Sequence, residues 1–195
     1  MPDLELPNPG ELEEVREKRF TRGVALTTAI FAVALAVTSL GGGNSMKDMI
    51  LAQQQASDQW AFYQAKVVRE HVYRNERVGI ELNLLALSDS IKPEVREKYL
   101  NALQKMQEEE KRFGIEKKEI EQVAKRLEEE RDLNRSKDPY FDYAEVLLQI
   151  AIVMASISII ALSRLTFFFS IAAAVIGTIF SINGFLLLFR IPFFH

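Results

Sequence analysis

The chain has 195 residues, a formal net charge of −3, 48% hydrophobic and 26% charged residues, and no cysteine. Disulfides, thiolate catalysis and cysteine-based metal sites are therefore excluded. The charge is segregated into residues 1–22 and 47–145, and Val146 to His195 carries only Arg164 and Arg190. This distribution predicts an all-α membrane protein with a water-exposed module.

Residues 1–9 are proline-rich and read as extended. From Glu11 a short charged helix follows, with Leu12, Val15 and Arg19 on one face, suited to a membrane surface. Together they form an N-terminal segment, 1–22. No charge occurs between Arg22 and Lys47, and Gly23–Leu40 is long enough for one spanning helix, placed at 23–43. A cleaved signal peptide ending at Gly41-Gly42-Gly43 is the rival reading. The long acidic segment ahead of it favours a retained anchor.

Residues 44–138 are expected to form an extramembrane antiparallel helical hairpin. The first arm, about Met46–Leu87, places Met49, Ala56, Trp60, Tyr63, Val67, Val78, Leu82 and Leu85 along a coiled-coil seam. The second, Pro93 to about Asn134, has Tyr99, Leu103, Met106, Phe113, Ile120, Ala124 and Leu127. Ser88, Asp89, Ser90 and Pro93 supply turn and cap chemistry, with the turn near 88–92. A turn there sets Val78 opposite Leu103, Val67 opposite Phe113-Gly114, and Trp60 opposite Ile120. His71, Arg74 and Glu110 then form a polar layer. It reads either as an ionic switch with a proton-sensing histidine, or as a register-fixing layer or solvated patch. Acids and bases nearly cancel between 47 and 138, 19 against 18, so nucleic-acid binding is not expected.

Asp138-Pro139 reads as the start of a new helix, followed by an interfacial aromatic belt of Tyr140, Phe141 and Tyr143. Residues 139–195 are expected to form a transmembrane hairpin, with spans at about 146–163 and 165–189 separated by Arg164. One uninterrupted helix of this length would overshoot a hydrocarbon core of about 30 Å. In the last span Ser170, Gly177 and Gly184 recur every seven residues, with Ala173, Ala174 and Ser181 between them. Small residues let helices approach closely in lipid. The stripe reads as an assembly or packing surface, or as a pore lining of Ser170, Thr178, Ser181 and Asn183. Phe167, Phe168, Ile176 and Leu186 face the other way, toward lipid. No Asp, Glu, Lys or His lies in any span, which argues against ion-coupled transport. Arg16, Lys18, Arg19 and Arg22 before the first span place the N-terminus in the cytoplasm and the hairpin outside it.

The stretch Ala56–Lys66, with Trp60, Phe62, Tyr63, Gln64 and Lys66, resembles the core motif of the bacterial domain-of-unknown-function family 4337. The resemblance extends over most of residues 20–190. It implies a bacterial membrane protein without an assigned activity, and carries no functional residues with it. The residues themselves contain no paired nucleophile and base, no phosphate loop and no cofactor motif. The expected function is a homo-oligomeric scaffold partnered with the bilayer and with copies of itself. A channel lined by the last span is the alternative, and a membrane-anchored enzyme the least supported.

Overall fold

In the computed structural model, residues 9–87 and 91–190 are described. The proline-rich start, the Ser88-Asp89-Ser90 cap and the tail with His195 lie outside the described residues. Those described form three α-helices, with no strand among them: α1 (Pro9–Ala86), α2 (Pro93–Ile160) and α3 (Arg164–Leu186). The residues group into two compact units. Unit 1 is Met1–Asp48 with Leu133–His195, and unit 2 is Met49–Asp132.

Two expected helix boundaries are absent. α1 runs through Gly41-Gly42-Gly43 without a break, and α2 runs through Pro139. A mid-helix proline removes a donor and costs about 3 kcal/mol. It is tolerated here because packing holds both sides of it. Asn134 is buried and its carbonyl accepts from Ser45 Oγ at 3.1 Å, while Tyr140, Phe141 and Ala144 are buried beyond it. Asp138 is thus an interior helical residue and not a cap.

The break that does occur, at Ala161–Ser163, is made by the backbone. Leu162 is left-handed (φ 48°), Ser163 N bonds Ser158 O at 3.1 Å, and Leu162 N bonds Ile159 O at 3.4 Å. This is a Schellman end built without glycine. Ser163 then caps α3, its hydroxyl accepting from Thr166 N. The reading of one uninterrupted C-terminal helix is excluded. Arg164 is the first residue of α3, and the turn lies just ahead of it.

Unit 1 has its core at Phe31, Leu148, Ala151 and Ala174, with Ala34, Leu35, Ile152, Ile171 and Ala173 against them. Segments of α1, α2 and α3 are long and apolar enough to cross a membrane. Of the expected aromatic belt, Tyr140 and Phe141 are each 2% exposed and only Tyr143 is open, at 50%. The first two rings turn inward because Gly41, Gly42 and Gly184 leave room for Phe141, and Tyr140 stacks on Phe180.

Unit 2 is built on two stripes with a strict three-four alternation. On α1 the stripe is Met49, Ala52, Ala56, Gln59, Tyr63, Lys66, Glu70, Tyr73, Arg77, Ile80 and Leu84, and Trp60, Val67, Gly79 and Glu81 are also half-buried. On α2 they include Tyr99, Leu103, Met106, Glu110, Phe113, Lys117, Ile120, Ala124 and Leu127. The α2 stripe is the one read from the sequence. On α1 the reading slips: Val78, Leu82 and Leu85 are 41%, 60% and 72% exposed. Polar residues occupy the seam positions that an apolar count passes over.

The partners across unit 2 also differ from those expected. Trp60 Nε1 bonds Glu128 at 3.0 Å, about two turns beyond Ile120. Phe113 stacks on Tyr73 at 5.5 Å, and the Lys66 ammonium lies over the same ring. Residues Pro93 to Lys98 are all exposed, so the buried stripe begins only at Tyr99.

Candidate functional site

Two groups of side chains stand out. The first is the charged centre of unit 2. Glu70, 7% exposed, receives Arg74 Nη2 at 2.9 Å and also binds Lys117. Glu110 receives Arg74 Nε at 2.8 Å and Arg77 Nε at 2.9 Å, and Arg77 continues to Glu81 at 2.8 Å. Lys66 binds Glu116, and its ammonium lies 5.1 Å from the centre of the Phe113 ring. Phe113 is 3% exposed and so forms an apolar floor beneath the ions.

The charges in this network compensate one another. Hydrogen bonds from Arg74, then from Arg77, hold the Glu110 carboxyl below its usual 4.5, against the opposing effect of burial. Lys66 does the same to Glu116. Arg74 and Arg77 are raised in turn, chiefly by their bonds to Glu110. These carboxylates are held ionised, which suits a brace between helices and not a proton donor.

Of the three residues expected in the polar layer, Arg74 and Glu110 meet and His71 does not. His71 is exposed. Glu70, Arg77 and Lys117 complete the layer. Glu70 and Arg77 share the three-four spacing of the α1 stripe, and that spacing is the signal that would have found them. Within the motif Trp60–Lys66, Trp60, Tyr63 and Lys66 face the seam, and Phe62 and Gln64 are exposed. Trp60 and Tyr63 meet edge to face at 5.4 Å. The motif is therefore half seam and half surface.

The second group is the small-residue stripe of α3 in unit 1. Ser170, Ala174, Gly177, Ser181, Asn183 and Gly184 are buried, and Ala173 is half-buried. All contact their own chain. Ser170 Oγ donates to Ala151 O at 2.8 Å, and Ser181 Oγ shares a 2.8 Å hydrogen bond with Thr38 Oγ1. A Cβ at Gly177 would lie 3.1 Å from Ala144 O and from Leu148 Cγ, and one at Gly184 would meet the Phe141 ring at 3.0 Å. Asn183 is fully buried and bonds both the N–H and the carbonyl of Phe189. The stripe is thus occupied by packing within the chain. The physical reason is that α1 and α2 bring their own small or ring-shaped complements to it. Thr178 alone of the suggested pore residues is exposed, and its hydroxyl bonds Ala174 O at 2.8 Å.

Among the described residues, no group of three or more His, Asp or Glu side chains is placed to hold a metal ion. Residues 20–187 match the family described as domain of unknown function (DUF4337), and the chain belongs to that family. No curated protein and no solved structure matches it.

Proposed function

We propose that this member of the DUF4337 family is a multi-pass membrane protein with a structural role. In this reading unit 1 is its three-span anchor, and unit 2 is an antiparallel helical hairpin in water that assembles with other copies as a scaffold. The observation that carries the reading is the outward face of unit 1. Leu26, Ile30, Val33, Val37 and Leu40 on α1, Ile150, Val153 and Ile157 on α2, and Leu165, Phe168 and Ile176 on α3 are all 45–68% exposed. Only 17%, 28% and 22% of the three apolar windows is buried. Patches of this size on separate helices are stable in lipid and not in water.

A conducting path along α3 has less support, because Ser170, Ser181 and Asn183 are hydrogen-bonded within the chain. The basic residues before the first span favour a cytoplasmic N-terminus, with unit 2 on the far side of a bacterial inner membrane. The purified protein in nanodiscs should give a discrete multiple of the 22.2 kDa chain by native mass spectrometry, and planar-bilayer recordings should be silent. A monomer would overturn the scaffold reading, and unitary currents would replace it with the channel.

A further inference from the structure

We propose that the outer face of α1 in unit 2 docks a second copy of this chain, as a parallel, in-register helix pair centred on Val72, Asn75 and Gly79. The inference rests on the scaffold reading and names its contact surface. On the side of α1 away from α2, Ala61, Ala65, Val68, Val72, Asn75, Gly79, Leu82 and Ala86 follow the same three-four alternation as the buried seam. Val68, Val72 and Leu82 are 61%, 47% and 60% exposed, and Val78 and Leu85 widen the strip at 41% and 72%. α2 has no comparable continuous stripe on its outer side. A period of 3.5 maintained over four heptads is the pattern of a second coiled-coil seam, and one helix is what fits it.

Gly79, like Gly10, Gly23 and Gly43, is a helical glycine with open space around it, and it is compatible with such a contact.

Three features select a copy of this chain as that helix. Asn75 lies at a core position of the stripe. Its amide carries both donor and acceptor and is satisfied by the same amide in register, whereas an apolar partner would leave it unpaired. In a parallel pair a flanking residue of one copy faces the residue five positions later in the other. This sets His71 beside Glu76 of the second copy and Gln64 beside Arg69, which are complementary pairings. His71 and Glu76 are both exposed and neither bonds within the chain among the described residues. Finally, copies anchored in one bilayer are already parallel, so ordering them costs little.

The test is single-cysteine crosslinking of the full chain in liposomes. Val68→Cys and Leu82→Cys should each give a disulfide-linked dimer, and Ile115→Cys, 52% exposed on α2, should not. Absence of dimer at 68 and 82, or equal yield at 115, overturns the inference. Val72→Glu combined with Leu82→Glu should abolish the dimer mass in nanodiscs while helix content by circular dichroism is retained, and an unchanged mass is again contrary. A wild-type monomer overturns the scaffold reading itself. A wild-type oligomer whose crosslinks avoid residues 68 and 82 overturns this surface alone.

Discussion

The two units solve the same problem, holding long helices side by side, by opposite means. Unit 1 uses close backbone approach and neutral hydrogen bonds: glycines against Phe141, Thr38 against Ser181, Ser170 against a carbonyl. Unit 2 uses a thin apolar stripe crossed by charge: Glu70 with Arg74 and Lys117, Glu110 with Arg74 and Arg77, Lys66 with Glu116. The difference follows from the solvent each is proposed to face. In lipid there is no hydrophobic gain from joining apolar helices, so fit and hydrogen bonds remain. In water a seam gains from burial, and ions within it are tolerated where each has its partner across the seam.

The sharpest break of this comparison is steric. A Cβ at Gly41 would come within 2.8 Å of Phe141 Cε1, whereas one at Gly43 would meet nothing within 4 Å. Gly41→Val should therefore destabilise unit 1 by about 3 kcal/mol or more, and Gly43→Ala should be neutral or raise stability by up to about 1 kcal/mol. Thermal unfolding in detergent, followed by circular dichroism, separates the two. Phe141→Ala empties the same site and should cost about 4 kcal/mol.

In unit 2 the largest effect is expected at Glu70, the most buried charge. Glu70→Ala leaves Lys117 and Arg74 without their carboxylate and should cost about 2 kcal/mol. His71→Ala should cost nothing measurable within one chain. Equal effects at the two positions would remove Glu70 from the account.

A smaller and reversible effect is expected with pH. Glu110 and Glu116 have folded values below their usual 4.5. The ionised form is thus favoured by folding, so the contribution is complete above about 4.5 and is lost as pH falls through the lower folded values. Unit 2 should loosen on acidification below that point. Glu110→Gln should flatten this dependence in a pH-jump measured by Trp60 fluorescence, since Trp60 is the single tryptophan and lies in unit 2. Among the described residues unit 1 has no such pair in its core, and its Asp138, held above the usual carboxylate value by burial and by Asp142, should give the opposite sign, with stability gained as pH falls.

How far the sequence revealed this depends on which residues occupy a seam. The α2 stripe was legible because apolar residues fill most of it, from Tyr99 to Leu127. The α1 stripe was misread past Val67 because Glu70 and Arg77 occupy seam positions while Val78 and Leu82 lie outside them. Charged residues enter a seam when partners such as Lys117 and Glu110 lie across from them, and a single helix does not display its partners. The turn at Leu162 gave no glycine signal, since a leucine takes the left-handed position. Pro139 gave a false stop because tertiary packing outweighed it. The small stripe of α3 was legible as a run of small residues, which left packing, assembly and pore lining open. What it packs against depended on Phe141 and Ala144, which are far away in sequence.

The central claim is that the two units face different solvents, and labelling of single cysteines in intact bilayers tests it most directly. Val37→Cys and Phe168→Cys, exposed on unit 1 at 53% and 67%, should resist a water-soluble maleimide, while Val95→Cys and Ile115→Cys, exposed on unit 2 at 41% and 52%, should react fully. Reaction of all four at similar rates would contradict the account, because the apolar faces of unit 1 would then be in water.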